Sequence, residues 1–229
     1  MSLANDMACV GEEPAGDALP STKDALAFLG LRYSVGPKYL ALPAPSWPQL
    51  EAAVALALRA PDHRGLQPFR FVHVPERLRD RLGCLFAADA ARRGHAADEV
   101  DRARERAHNG PALLALVARV RADVEDVPDH EQWLCVGGGL MNLLNALHLM
   151  GFGAKVLSGA SVRDPAIQAA FCEAGETLVA WVVAGTPTRR SHAKAVASDV
   201  SALSDWAGLD HPLAADSVFK RPRTASMND

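Results

Sequence analysis

The sequence has little excess charge and few cysteines, and both shortages narrow the possible classes of function. Its 229 residues include 24 Lys and Arg against 27 Asp and Glu, a formal net charge of −3 at pH 7. A balance this close to neutral does not favour nucleic acid or an anionic membrane surface as a partner. The four cysteines, at positions 9, 84, 135 and 172, include no C-x-x-C pair. This scatter favours free thiols in a reducing compartment over a disulfide framework or a zinc site.

The sequence also lacks a recognisable secretory signal and a candidate membrane span. Residues 1–6 read MSLAND, with neither a basic region nor an apolar run. The longest apolar stretch, residues 130–150, is interrupted by three glycines, two asparagines and His148, so it does not predict a transmembrane helix. We therefore expect a cytoplasmic protein that does not associate with membranes.

What remains is the composition of an ordinary globular protein, with 49% apolar and 22% charged residues. Residues 1–20 are rich in Gly, Pro, Ala and acidic residues without periodicity, which predicts a disordered N-terminal extension. No linker-like stretch interrupts residues 21–205, which therefore form one predicted domain. Residues 206–229 are expected to be a C-terminal extension.

Hydrophobic periodicity predicts an α+β (mixed α/β) protein. Helices are expected over 24–31 (capped by Ser21 or Thr22), from the cap Ser46 to Leu58, and over 76–92, 97–107, 130–150 and 164–171. Strands are expected at 69–74, 113–120, 154–157 and 177–184. Because helices and strands alternate only partly, we expect a mixed sheet flanked by helices rather than a strict doubly wound fold.

Residues 130–150 form the longest predicted helix, and apolar side chains surround almost its whole circumference. A helix without a polar face must be buried. Burial in the core of the domain and burial against a second copy of the chain both remain open. In a chain of this size, such a helix favours a homodimer whose interface it joins.

Two motifs in this helix resemble known sites but are incomplete. Gly137–Gly139 resembles the start of a dinucleotide-binding fingerprint, but Asn142 stands in place of the third glycine. His130-Glu131 begins an H-E-x-x-H zinc motif, but Leu134 replaces the second histidine. We expect neither a Rossmann site nor a metal site, and we predict that His148 is a hydrogen-bonded core histidine.

The segment 60–71, which reads APDHRGLQPFRF, connects an apolar helix to a strand and concentrates polar side chains between two prolines. Proline restricts its own φ and the conformation of the residue before it, so this joint can hold His63, Arg64 and Gln67 at fixed angles. Polar loops on a rigid scaffold often carry ligand contacts. An ordinary surface loop is the alternative interpretation of the segment taken alone.

Four segments in order resemble the flavin nitroreductase family, and especially its minimal single-domain subgroup. Arg32-Tyr33-Ser34 is similar to the subgroup's Arg-Arg-Ser, and segment 60–71 is similar to its A-P-D-H-x-x-x-Q-P-W-x-F. Residues 151–159, which read GFGAKVLSG, and Gly185-Thr186-Pro187 complete the set. The ordered set, which spans nearly all of residues 24–188, is more specific than any one segment.

The resemblance implies a three-layer fold and a homodimer with two FMN molecules at its interface. It also implies that Arg32, Tyr33 and Ser34 contact the flavin phosphate and ribityl chain. This agrees with the chemistry of phosphate, which binds guanidinium, hydroxyl and backbone N–H groups. His63 and Gln67 would reach the same flavin from the partner chain.

The other site residues implied by the resemblance lie later in the chain. Val156, Leu157 and Ser158 would lie along the isoalloxazine ring. The stretch matched to nicotinamide cofactor binding comprises Ala146, Leu147, His148, Leu149, Met150 and Gly151. Arg189 and Arg190 are further candidates for a phosphate contact, or alternatively two solvated arginines. No catalytic side chain is expected, because the flavin N5 carries the chemistry.

The implied activity is hydride transfer from NAD(P)H, through FMN, to a small-molecule electron acceptor such as a nitro compound, quinone or enone. The chain departs from the subgroup where Tyr33 and Leu157 replace arginines, Phe69 replaces a tryptophan, and residues 35–39 form a small insertion. Since the lost arginines remove positive charge near the flavin, a flavin-binding or sensory dimer with little turnover is an alternative. A non-flavin α/β dimer with a structural role is the third hypothesis.

Overall fold

The computed structural model describes residues 21–189. These residues form a five-stranded sheet between two layers of helices. The helices are α1 (Thr22–Gly30), α2 (Trp47–Ala57), α3 (Arg79–Arg92), α4 (Ala97–Glu105), α5 (Asp129–Leu149) and α6 (Pro165–Phe171). The strands are β1 (Leu40–Ala41), β2 (Phe69–His73), β3 (Ala112–Ala118), β4 (Gly153–Leu157) and β5 (Thr177–Pro187). The two predicted extensions lie outside the described residues. Residues 190–205, which include Arg190, also lie outside them.

The long strand β5 is the centre of the sheet. It pairs with β3 on one side and β4 on the other, β2 pairs with β3 at an edge, and β1 pairs with the end of β5. All of these ladders are antiparallel, and the one parallel pairing within the described part of the chain is a bridge between Ser34 and Ala154. The α+β class is confirmed, but the sheet is more antiparallel than the expected mixed sheet.

The antiparallel order follows from the connection between β2 and β3. Helices α3 and α4 pack against each other as a hairpin, joined by residues 93–96. Because the second helix runs back along the first, β3 begins beside the end of β2 and runs in the opposite direction. A single crossover helix would instead have produced a parallel pair. Periodicity alone does not tell how two successive helices pack.

The alternation of side chains along the strands separates two cores. One face of the sheet packs under α2 and α5 through Leu114, Leu116, Val182 and Ala184. The other face packs under α3, α4 and α6 through Leu113, Val117, Trp181 and Val183. Helices therefore cover both faces of the sheet, which confirms the expected three-layer arrangement.

Most predicted elements agree with the structure to within a few residues at their ends. The Oγ of Ser21 accepts a hydrogen bond from the N–H of Asp24, 3.2 Å away, and caps α1 as predicted. At the start of α2, Gln49 Oε1 accepts from the N–H of Ser46 at 2.9 Å, forming part of a capping box. Strand β1 was not predicted, because a two-residue strand carries no periodicity of its own and exists only through its pairing with β5.

Core burial accounts for only one face of α5. Cys135, Val136, Leu143 and Leu147 on that face lie in the core with α2 and the sheet. The opposite face exposes a row of large apolar side chains, namely Trp133, Leu134, Met141 and Leu149. The prediction that α5 is buried on every side therefore fails within a single chain. None of the helices among residues 21–189 is long and apolar enough to cross a membrane.

The glycine run in α5 has a packing role. A Cβ built on Gly139 would overlap the ring of Phe69, and one built on Gly138 would lie 3.3 Å from the Cβ of Ala60. These glycines let α5 lie close against the segment that leads into β2. This explains the incomplete dinucleotide fingerprint without a nucleotide.

Candidate functional site

Three of the predicted flavin segments meet at the outer edge of β4. Ser34 forms a parallel bridge to Ala154, and the N–H of Val35 donates a hydrogen bond to the Ala154 carbonyl at 3.0 Å. The hydroxyl of Tyr33 donates to the carbonyl of Arg189 at 3.1 Å. Residues 32–34, the strand that leads to 156–158, and Arg189 are thereby brought to one place.

Basic side chains surround this edge. The Lys38 ammonium lies 4.9 Å and the Arg189 guanidinium carbon 5.8 Å from the centre of the Tyr39 ring. Hydrogen bonding to Lys38, and then to Arg189, holds the pKa of Tyr39 below its ordinary value. Arg32, which is partly buried, lies two residues before Ser34 in the same segment, so this part of the chain carries several positive charges.

A cavity of about 310 Å³ extends from Leu157 and Ser158 across the face of the sheet. One wall is formed by these two residues together with Trp181, which pairs with Leu157 across β4 and β5. The facing wall is formed by helical residues of α3 and of the turn after α4, including Asp89, Arg93, Arg106 and Asn109. The sequence did not predict this facing wall, since periodicity gives only the bounds of these helices and not how they pack.

Two residues that line this cavity have side-chain donors without a protein partner among residues 21–189: the exposed Arg106 and the buried Trp181. Arg93 binds the buried carboxylate of Asp89 through Nε and one terminal nitrogen, at 3.1 and 2.8 Å. The side chain of Arg106, by contrast, has no hydrogen-bond or ion-pair partner within residues 21–189. The Trp181 Nε1 is buried and also lacks an acceptor among the residues described. The cavity therefore suits a ligand that carries hydrogen-bond acceptors.

The turn that carries Arg106 and Asn109 is held by a buried arginine. Arg79 is 1% exposed and donates hydrogen bonds to the carbonyls of Gly110 at 2.7 Å, Pro111 at 3.0 Å and Ala107 at 3.3 Å. Desolvation lowers the pKa of Arg79. Sequence analysis gave no sign of this residue's role, because its hydrogen-bond partners lie some 30 positions later in the chain.

Side-chain to backbone hydrogen bonds hold the joint at residues 60–71. The Asp62 carboxylate accepts hydrogen bonds from the N–H groups of Leu66 at 2.9 Å and Gln67 at 2.7 Å. Arg64 and Gln67 adopt left-handed backbone conformations, with φ of 64° and 45°. Left-handed backbone costs energy in residues other than glycine, so the Asp62 hydrogen bonds are needed to hold it. His63 Nδ1 lies 2.9 Å from Glu131 Oε2, which ties the joint to the start of α5.

One chain does not bring this joint to the edge of β4. The joint leads into Phe69, which pairs with Ala118 on β3, and Ala118 in turn pairs with Thr177 on β5. Ser34 bridges to Ala154 on β4, and Ala154 pairs with Ala184 on β5. Thr177 and Ala184 are seven residues apart on β5, which at roughly 3.3 Å per residue is about 23 Å. His63 and Gln67 therefore lie at the opposite end of the sheet from residues 32–34 of the same chain.

The stretch 146–151 ends α5 near α1. The side chains of Ala146 and Leu147 are buried in the core. His148 Nε2 lies 2.9 Å from the carbonyl oxygen of Phe28 and its ring packs on the Phe28 ring, so this histidine is hydrogen-bonded as predicted, but it is partly exposed rather than in the core. Leu149 and Gly151 are exposed. The assignment of this stretch to the nicotinamide cofactor stays a prediction.

Comparisons with known proteins agree on one family. A family model described as "Nitroreductase family" matches residues 31–186. The chain is 32% identical over 165 residues to "Putative NAD(P)H nitroreductase YdjA" of Escherichia coli K12, a match covering 72% of this chain and 88% of the relative. A relative from Haemophilus influenzae, "Putative NAD(P)H nitroreductase", is 32% identical over 164 residues and covers 71% of this chain and 88% of its own.

Solved structures show the same fold. The nitroreductase-like family protein from Bacillus cereus superposes with a TM-score of 0.64 at 17% identity, covering 80% of this chain and 96% of that one. The crystal structure of a "putative nitroreductase in complex with fmn" from Desulfovibrio desulfuricans superposes with a TM-score of 0.56 at 19% identity, covering 80% of this chain and 97% of that one. At these identities the likeness concerns the fold.

Proposed function

The chain belongs to the nitroreductase family, and from that premise we propose that it is an NAD(P)H-dependent FMN oxidoreductase that acts as a homodimer. The observation that carries the proposal is the meeting of Arg32-Tyr33-Ser34, the start of β4 at Ala154 and Arg189 at one edge of the sheet, from which β4 continues to Leu157. The relatives named as NAD(P)H nitroreductases and the FMN complex among the structural neighbours support the choice of cofactor and reductant.

The residues at this edge fit FMN. Arg32, Ser34 and Arg189 offer guanidinium and hydroxyl donors of the kind that bind a phosphate. The cavity beside Leu157 and Ser158 is lined by apolar groups on the strand side and by polar and charged side chains on the helical side, which suits a planar ring with nitrogen and oxygen acceptors. When bound, FMN supplies hydride-transfer chemistry between a nicotinamide cofactor and an acceptor.

The chain's own residues bind and orient this group. The hydrogen bond from Tyr33 to the Arg189 carbonyl holds the end of β5 beside residues 32–34 and so positions Arg189. Leu157 provides an apolar surface on the strand wall of the cavity, whereas Val156 packs on the opposite face of the sheet. Asp62 and Glu131 hold Gln67 and His63 in place for a contact with the flavin of the other subunit.

The separation of the two half-sites supports a homodimer. Since His63 and Gln67 lie at the other end of the sheet from residues 32–34, a single flavin can contact both groups only if they come from different chains. The chain also exposes many large apolar side chains, which monomeric proteins rarely do in one contiguous patch. On α1, α2 and α5 these are Leu26, Phe28, Leu29, Leu56, Trp133, Leu134, Met141 and Leu149.

The visible spectrum of the purified protein tests the proposal. We expect a yellow protein with an oxidised-flavin spectrum, which bleaches when NADH or NADPH is added without oxygen and recovers when a nitro compound, quinone or enone follows. A colourless protein that also fails to bind added FMN would contradict it. The expected setting is the cytoplasm, where both nicotinamide cofactors are present.

A second candidate is a flavin-binding or sensory dimer with little turnover. The absence of arginine at Tyr33 and Leu157 favours it, because those guanidinium groups would stabilise charge on the bound flavin. Anaerobic stopped-flow reduction separates the two candidates. Bound flavin that NAD(P)H reduces no faster than free FMN would support the sensory role over the enzyme.

A further inference from the structure

Part of the wall of the candidate cavity is a loop. Residues 158–163, here called the cavity loop, follow β4, and Ser158, Gly159 and Ser161 of this loop line the cavity. Residues of α3, among them Arg93, line the cavity as well. The width of the cavity therefore depends on how the loop is held relative to α3.

An ion pair joins the end of the cavity loop to α3. Arg92 Nη2 donates a hydrogen bond to Asp164 Oδ2 at 2.6 Å, and the Asp164 side chain is only 5% exposed. Arg92 is the chain neighbour of the cavity-lining Arg93, and Asp164 directly follows the loop. Neither Arg92 nor Asp164 lines the cavity itself. The pair therefore links the two walls without occupying the space between them.

The carboxylate of Asp164 is fixed from its other side. Its Oδ1 accepts hydrogen bonds from the N–H groups of Ala166 and Ile167, both at 3.0 Å, and so caps α6. Desolvation raises the pKa of Asp164, but the hydrogen bonds from Arg92 and from these two N–H groups outweigh it, so the pKa lies below its ordinary value. Asp164 is therefore ionised at neutral pH, and both charges of the pair are present.

A second set of contacts ties the loop to the sheet. The amide nitrogen of Gln168 donates to the carbonyl of Val162, and the amide oxygen accepts from the N–H of Leu178 on β5 at 3.0 Å. The side chain of Val162 is buried in the core on this face of the sheet. These contacts hold the loop to β5, whereas the pair of Arg92 and Asp164 joins it to α3.

We propose that Arg92 and Asp164 are positioning residues for the cofactor, which fix the cavity loop relative to α3 and so pre-form the cavity for a planar ring. The inference rests on the proposed FMN function. A pre-formed cavity binds a rigid ligand more tightly than a mobile one, since less conformational freedom is lost when the ligand enters. Without the ion pair, the loop becomes ordered only when FMN binds, and that cost weakens binding.

The test compares Asp164→Asn and Arg92→Leu with the wild type. Asp164→Asn keeps an oxygen that can cap α6 and removes the negative charge, so it separates the ion pair from the cap. In both variants without cofactor, the amides of Ser161 and Val162 should exchange hydrogen faster. The Kd for FMN should rise about tenfold, and the visible circular dichroism of the bound flavin should weaken because the ring is held less rigidly. Arg92→Lys keeps the charge and should recover most of the affinity.

Glu176→Gln is the matched control. Glu176 is also a 5% exposed carboxylate bound by an arginine, Arg70, at 2.6 Å, but it does not line the cavity. This change should lower the free energy of unfolding and leave loop exchange, the Kd for FMN and the visible circular dichroism unchanged. Equal changes in the control would show a general loss of stability and overturn the assignment. Wild-type values in Asp164→Asn would overturn it as well, and this variant decides alone if Arg92→Leu does not fold.

The outcomes separate the two levels of inference. If the wild type binds no FMN, the proposed function fails, and the role of the ion pair in holding the cofactor fails with it. If the wild type binds FMN but the variants bind it equally well, the proposed function stands and only the positioning role fails.

Discussion

Single residues carry structural roles that their sequence neighbourhood does not show, and Arg70 is the clearest case. It lies in the joint of residues 60–71 among the predicted ligand contacts, yet no motif match supports a role at the site. In the structure its Nε and one terminal nitrogen bind the Glu176 carboxylate at 2.9 and 2.6 Å, and it also donates to the carbonyl of Phe171 at 2.8 Å. It joins β2 to the loop before β5.

We expect Arg70→Leu to lower the free energy of unfolding by about 2 to 3 kcal/mol, because it leaves the carboxylate of Glu176 buried without its main partner. The Glu176 side chain is 5% exposed, whereas Arg70 is partly exposed. Urea denaturation followed by circular dichroism measures the change. Arg64→Leu serves as the control, since its ion pair with Asp126 is exposed and should contribute less than about 1 kcal/mol.

The same ion pair predicts a dependence of stability on pH. Arg70, opposed by desolvation, holds the pKa of Glu176 down at about 2, compared with an ordinary value of 4.5. A depressed carboxyl pKa contributes stability that is present above the ordinary value and is lost as the pH falls toward the folded-state value. The wild type should therefore lose more stability between pH 4.5 and 2 than Arg70→Leu does. If the free energy of unfolding falls equally with pH in the wild type and in Arg70→Leu over this range, the prediction is contradicted.

At the scale of elements, the turn after α4 depends on α3. The three carbonyls that Arg79 binds belong to residues 107–111, directly between the Arg106 position and β3. The glycine in this turn, Gly110, has a φ of 70° and lies close to Val183, so the turn has a defined shape that other contacts must maintain. One wall of the candidate cavity is thus built by α3 and by the turn after α4. The local sequence of these helices predicts only that they are amphipathic.

Arg79→Met should loosen this turn, because one buried and two partly buried carbonyls lose their donor while the side chain keeps much of its length. We expect a destabilisation of about 3 kcal/mol and faster hydrogen exchange at the amides of Asn109 and Gly110. The Kd for FMN should rise about tenfold if the turn forms part of the flavin site. Arg77→Met, a change at an exposed arginine that follows Glu76, is the control and should alter neither measurement. If hydrogen exchange at the amides of Asn109 and Gly110 is unchanged in Arg79→Met, the turn does not depend on Arg79.

At the scale of the whole molecule, the exposed face of α5 and the separated half-sites indicate the same assembly. We expect Leu134→Glu to convert a dimer into a monomer, because Leu134 is 72% exposed on that face and a carboxylate cannot be buried there without a partner. Size-exclusion chromatography with light scattering measures the mass. The monomer should also lose FMN, since His63 and Gln67 of the partner are then absent.

Leu78→Glu is the control for this change. Leu78 is an exposed leucine next to α3, in the helix layer on the other side of the sheet, and its replacement should leave both the mass and the bound flavin unchanged. A Leu134→Glu protein that stays dimeric and yellow would contradict the proposed interface. A monomeric wild type that binds FMN would contradict the shared site itself.

Much of the fold could be read from local patterns. The caps at Ser21 and Ser46 and the apolar runs of β3 and β5 located most elements to within a few residues. Strand β1, the antiparallel direction of β3 and the exposed face of α5 could not be read in this way. Each depends on a contact between distant segments: pairing with β5, the packing of α3 on α4, and the packing of α5 on α2.

The sequence by itself determined the order of the elements, the α+β class and the four segments that resemble the nitroreductase family, because periodicity, capping and proline act over a few residues. Only the tertiary structure decided which charged groups have partners. Arg93 is neutralised by Asp89 on the same helix, and Arg70 by a glutamate far along the chain, while Arg106 faces the cavity beside Leu157. Charge and hydrogen bonding depend on distance in space, and the fold sets that distance.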